Sequence, residues 1–365
     1  MKVIKVKPDH SPVWRNPKSI FKYNGWPSIC MDERGVLYAA ASSFRIQHVD
    51  PSGKNVIWVS RDQGKSWSKP IVINDSPLDD RDTGIISLGG GHMIATWFSC
   101  RVDDSYPKNP GFQYLNKFDQ VTILGLMDAY NYLPQENLKG GAYVMTSDDH
   151  GLTWDDPIPV PMTAPHGANK MNDGRAVYLG KDFAPGEDGQ AKVYCYISSD
   201  YGKTWDRVGA VPLPDGHDWA QFHEPHVAQL PNGRLLGAIR VHNRKEAPGE
   251  SCYITFSDDE GKTWSMPKFI GIAGLPPHVL VHSSGAVVLS YCDRGTRTER
   301  AYVSHDGGET WDTDYVINDE NTFCDLGYPA SVELQDGSIM TIYYQNYEPQ
   351  DNFPSVVVTH WNLED

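Results

Sequence analysis

The chain has 365 residues, with 47 acidic side chains against 32 basic ones and a formal charge of −15. That balance argues against a nucleic-acid partner or an anionic membrane surface, and no apolar run is long enough for a membrane-spanning helix. The 6 cysteines are scattered through apolar runs without CxxC or metal-ligand spacing, so they read as buried thiols and not as a disulfide framework. In chain order, Lys2-Val3-Ile4-Lys5-Val6 alternates and reads as a strand. The first residues lack an apolar core of signal-peptide length, so a cytoplasmic location is expected unless a leader has been removed. From residue 24 onward the chain repeats one unit, an apolar strand, a glycine turn and a second apolar strand. The turns are Arg34-Gly35, Gly89-Gly90-Gly91, Asp173-Gly174, Asn232-Gly233, Ser284-Gly285 and Asp336-Gly337.

A second signal is stronger. Ser-x-Asp-x-Gly-x-Thr/Ser-Trp occurs five times, ending at Trp67, Trp154, Trp205, Trp264 and Trp311. Each copy follows a strand. Asp can accept backbone N–H groups two residues on, Gly permits positive φ, and Trp plugs the turn. Apart from the first interval, the copies recur at roughly the 40–50 residues that four-stranded propeller blades give. The long first interval implies an insertion at about residues 101–139, rich in Asp, Pro, Asn and Tyr, expected to be a loop that walls one side of a site.

The repeat resembles the Asp-box (BNR) turn of the sialidase superfamily, and the resemblance runs over nearly the whole chain. It implies an all-β fold: a single six-bladed β-propeller of four-stranded antiparallel blades over residues 1–365, closed by an N-terminal strand, for which Lys2–Val6 is the candidate. The boxes are expected to be structural and to face away from the site.

In such a ring the starts of the inner strands converge on one rim, where the sequence places Asn24-Gly25-Trp26-Pro27, Arg81-Asp82, Pro165-His166, His223-Glu224-Pro225-His226, Pro277-His278 and Gly327-Tyr328-Pro329. The second strands end on the same rim with Arg45, Arg101, Arg240, Arg294 and Gln345, and His48 lies just beyond Arg45.

The resemblance implies a Tyr nucleophile at Tyr328 and, at Glu224, the carboxylate that accepts its proton. It also implies carboxylate-binding arginines at Arg240 and Arg294, with Arg297 and Arg300 as rivals for the latter. A general acid is expected at Asp50 or Asp82. One departure stands out: the family opens with an Arg-Ile-Pro motif, and Gly25 occupies the place of its Arg. Arg45 or Arg101 could supply the missing guanidinium, and Trp26 could stack on a sugar or pack.

The expected activity is an exo-acting glycoside hydrolase on a terminal sugar, anionic or neutral, with a carbohydrate as partner. Two alternatives remain: a lyase on uronic-acid glycans, which the histidines His48, His166, His223, His226 and His278 would suit, and a silent sugar-binding propeller. No metal or other cofactor is expected, since no HxH spacing occurs.

Overall fold

The computed structural model describes residues 2–7, 9–103, 105–242 and 249–364. Six antiparallel sheets follow one another along the chain. Their inner strands are Tyr23–Met31, Asp79–Gly89, the broken pair Met162–Thr163 and Asn169–Lys170, then Phe222–Gln229, Leu275–Val281 and Gly327–Glu333. Each packs on the next, and the last packs on the first, so the sheets are blades around one axis. The second strands are buried on both faces, as in Leu37–Arg45, whose residues Leu37, Ala39, Ala40 and Ala41 are fully enclosed. The apolar core therefore lies between neighbouring blades. One cluster joins Leu37, Ala39 and Trp58 of blade one to Ile342, Val356 and Val358 of blade six.

The ring closes with an N-terminal strand, but the strand is His10–Trp14, which pairs with Ser355–Trp361. Lys2–Lys5 instead adds in parallel to the outer strand of blade five, Thr313–Asn318. The alternation in Lys2–Val6 thus marks an edge strand one blade short of the seam. Residues 101–139 also differ from the irregular loop expected. They hold a helix, Lys117–Asn131, whose N-cap Asn116 accepts the Asp119 N–H. Its buried Ile123 and Met127 pack with Tyr106 and Phe112 on Ile46 and Val49 of blade one. The 3.6-residue spacing of those apolar positions is present in the sequence.

All five Asp boxes share one geometry. In blade five, Ser304 Oγ donates to Asp306 Oδ1 at 2.8 Å and accepts from Gly308 N, while Asp306 accepts from Thr310 N and Thr310 Oγ1. A Cβ on Gly308 would collide with Leu236 of blade four. The glycine thus lets each box lie against the preceding blade. Because a box follows the third strand, it stands on the rim opposite the inner-strand starts. All six cysteines are free, four of them buried, with Cys100 half-buried and Cys324 exposed. Among the described residues, no helix is long and apolar enough to cross a membrane.

The two N-terminal strands make a direct test of closure. Val13 is 5% exposed and sits in the seam between blades one and six, whereas Val3 is 57% exposed. Val13→Asp is expected to cost about 3–5 kcal/mol in denaturant unfolding, against about 0.5 kcal/mol or less for Val3→Asp. Equal losses would place closure elsewhere.

Candidate active site

The site is built by one backbone device used repeatedly. In five blades the ladder between first and second strands skips two residues near the inner strand's start. These are Trp26-Pro27, Asp82-Thr83, Glu224-Pro225, Pro276-Pro277 and Tyr328-Pro329. Trp26, Asp82, Glu224 and Tyr328 all have left-handed backbones there, with φ of 53°, 55°, 46° and 56°. For a side chain bearing a Cβ this costs roughly 1–2 kcal/mol per residue. Proline suits the second bulge position because no ladder partner is waiting for an N–H. The bulge turns one side chain per blade toward the axis.

Three of those side chains, Asp82, Glu224 and Tyr328, are coupled to one another. Tyr328 Oη donates to Glu224 Oε1 at 2.5 Å. Arg240 Nη1 holds Glu224 Oε2 at 2.5 Å, and its Nε and Nη2 are taken by Glu250 at 2.8 and 2.9 Å. Burial, and then the Glu224 and Asp82 charges, hold the Tyr328 phenol well above its ordinary pKa. Burial and the Glu224 charge push Asp82 up to about 8, against the pull of Arg81 and Arg45. The group is a phenol donating to Glu224, beside an Asp82 carboxyl whose burial and charged neighbour favour its protonated form.

The other predicted residues divide. Asp50 is fully buried, and its oxygens accept from Ile46 N, Gln47 N, Ser52 N and Ser52 Oγ. It shapes the loop and cannot reach a glycosidic oxygen; Asp82 is the carboxyl at the axis. Arg45 is also fully buried, bound to Asp79 Oδ1 at 2.5 Å and to the His48 carbonyl at 2.7 Å.

Trp26, 2% exposed, packs between the guanidinium groups of Arg45 and Arg81 at 4.7 and 4.8 Å, and offers no face to a sugar. Gln345 is buried in the blade-five–blade-six interface, donating to Asn318. Arg101 belongs to the insertion, donating to Gln135 and Asn131. Arg300 is paired with Asp314, and Arg297 donates to the Thr322 carbonyl.

Arg294 stays on the rim. It donates to the Leu326 carbonyl and to Tyr344 Oη, and makes no ion pair among the described residues. His48 Nδ1 lies 2.8 Å from Asp325 Oδ2, which also accepts from Tyr23 Oη at 2.6 Å, while Tyr344 Oη donates to Asp325 Oδ1. His223 is half-buried, with Nε2 2.7 Å from the Ala220 carbonyl, and burial lowers it to about 4. Sequence reasoning missed Asp325, Glu250, Asp79 and Arg81 as supports. Asp325 stands three residues before Tyr328, and Glu250 opposes Arg240's strand only once the third strand is paired.

Below the rim, His166, His226 and His278 ring the axis, their centroids 4.3 to 5.9 Å apart. Burial pushes His226 down to about 3 and, with the neighbouring rings, holds His166 and His278 well below their ordinary value. Their folded values lie below the unfolded value of about 6.5. The stability they contribute is therefore fully present above that pH and is lost as pH falls toward 3, at up to about 1.4 kcal/mol per ring per pH unit. Unfolding free energy should decline between about pH 6.5 and 4, and His226→Gln should flatten that decline. An unchanged slope would show that the rings carry none of it.

The comparisons agree with this architecture. The family model described as BNR repeat-like domain matches residues 134–342, and the BNR/Asp-box repeat matches residues 58–69. A structure of a protein of unknown function from Dyadobacter fermentans superposes with a TM-score of 0.77 at 21% identity, over 97% of this chain and 98% of that one.

The intramolecular trans-sialidase from Ruminococcus gnavus gives 0.69 at 15% identity over 97% of both chains. The NanB sialidase from Streptococcus pneumoniae gives 0.69 at 16%, over 97% of this chain and 70% of that one. In sequence, the xyloglucanase Xgh74A of Acetivibrio thermocellus is 26% identical over 220 residues, which is 53% of this chain but only 23% of that enzyme's length. With a family match over more than half of its residues, the chain belongs to the BNR repeat-like domain family, built as a six-bladed propeller.

Proposed function

We propose that this protein is an exo-acting glycoside hydrolase that removes a terminal sugar by a two-step route through Tyr328. The reading is carried by the 2.5 Å contact of Tyr328 Oη with Glu224, locked by Arg240, beside the protonated Asp82. Tyr328 Oη attacks the anomeric carbon as its proton passes to Glu224 Oε1, and Asp82 gives its proton to the departing glycosidic oxygen. Asp82, now a carboxylate, then takes a proton from the water that attacks the tyrosyl-linked sugar. The bond to Tyr328 breaks, and the phenol recovers its proton from Glu224.

The likeness to sialidases and the distant match to a xyloglucanase support a sugar as substrate. A three-arginine clamp for a carboxylate is not supported. Gly25 occupies one position, and Arg240 is neutralised by Glu224 and Glu250. Arg294 is left to meet a single acidic or strongly polar group on the sugar.

A panel of chromogenic glycosides and acidic oligosaccharides tests this. Tyr328→Phe and Glu224→Gln are expected to lower kcat by on the order of 10²–10⁴. Asp82→Asn should lose activity on poor leaving groups while sparing activated aryl glycosides. Since the acid must hold its proton, kcat should fall as pH rises through about 8. Full turnover in the Tyr328 and Glu224 variants would remove this mechanism. Release of an unsaturated, ultraviolet-absorbing product would identify a lyase instead.

A further inference from the structure

The ring of histidines is not used by the chemistry above, yet it closes the inner end of a long axial cavity. That cavity, about 620 Å³, follows the axis from His166, His226 and His278 to the opposite rim. Apolar residues such as Ile86, Leu280 and Val281 are among those lining it. Among the described residues no Asp or Glu lines it, and Lys170 is its one Lys or Arg, in a chain with a formal charge of −15.

The protons on two of the rings follow from the backbone. The Val279 N–H donates to His226 Nδ1 at 3.0 Å, and the Ser331 N–H donates to His278 Nδ1 at 3.3 Å. Each ring reaches across to the inner strand of the next blade, so the contact is repeated around the axis. A nitrogen that accepts an N–H carries no proton of its own, so each neutral ring must carry its proton on Nε2. The two rings stack at 4.3 Å with 24° between their planes. His166 stands edge-on to both and is 2% exposed.

We infer that the histidine end of the axial channel is a binding site for a monovalent, weakly hydrated anion of the halide class, held by the Nε2–H groups of His226 and His278 with His166 as the third wall. A transition metal does not suit these rings, because ligation needs a lone pair where His226 and His278 carry N–H. Consistently, they do not form a convergent metal-ligating group among the described residues. A water would have to find acceptors for its own two protons, whereas a halide only accepts. A divalent oxyanion is disfavoured because its dehydration between neutral donors and aliphatic walls costs far more than that of a single charge.

The test uses the whole protein labelled with ¹⁵N-histidine and titrated with sodium bromide at constant ionic strength, with methanesulfonate as the balancing ion. Expected are Nε2–H tautomers for His226 and His278 and a saturable shift of both ring signals. Bromide-soaked crystals should show an anomalous peak within hydrogen-bond reach of both Nε2 atoms. His226→Gln should abolish the shift at His278; should that variant fail to fold, the wild-type titration and the anomalous map decide alone. Nδ1–H tautomers, a shift that never saturates, an equal response to methanesulfonate, or stoichiometric zinc uptake by the ring would each overturn the assignment.

Discussion

Six inner strands must begin around one axis, and the left-handed bulge at those beginnings is the constraint on which the site depends. A regular antiparallel ladder alternates its side chains between the two faces of a blade, where neighbouring blades bury them. Only a break in that ladder turns a side chain toward the axis. The chain accepts the conformational cost at Trp26, Asp82, Glu224 and Tyr328, and blade packing around them over-determines the strained backbone. Three of the four turned side chains are those assigned to the proposed reaction. The fourth, Trp26, fills the floor beside it, against Tyr23, Tyr328 and Tyr344.

The electrostatics follow from crowding these groups in one buried place. Two carboxyl groups near each other cannot both ionise cheaply. Arg240 binds Glu224, while burial and the Glu224 charge favour the protonated form of Asp82. Glu250 in turn fixes the guanidinium through two contacts. The same logic explains why Arg45 and Arg81 are not free for a ligand, since both are held by the buried Asp79. Charge is arranged here to set proton positions on a short chain of side chains, and little of it is left over for a substrate carboxylate.

Some of this was legible in the residues. The five boxes and six glycine turns state blade number and order, because turn chemistry is local: Asp, Gly and Trp act within a few positions of one another. Tyr328 and Glu224 could be located because they stand at inner-strand starts to which the family resemblance assigns roles. The helix in residues 101–139 was readable too, from its apolar period, but a composition rich in Asn, Pro and Asp obscured it. The mistaken closing strand has a different cause. Lys2–Lys5 and His10–Trp14 are both short and alternating, and the choice between them depends on which seam each can reach.

What the sequence by itself determined is therefore the repeat: the fold class, the blade count, and which residues stand at the inner-strand starts. Only the tertiary structure decided which of those residues meet. Asp50 and Asp82 are equally acidic in sequence, yet one folds onto its own loop's amides and the other is carried by a bulge to Glu224. Arg240 and Arg294 occupy matching places in adjacent blades, yet one is neutralised by two carboxylates and the other by none among the described residues. Burial, tautomer and ion pairing depend on partners brought in from other strands and blades, from 10 to 104 positions away. Local propensity carries no record of those distances.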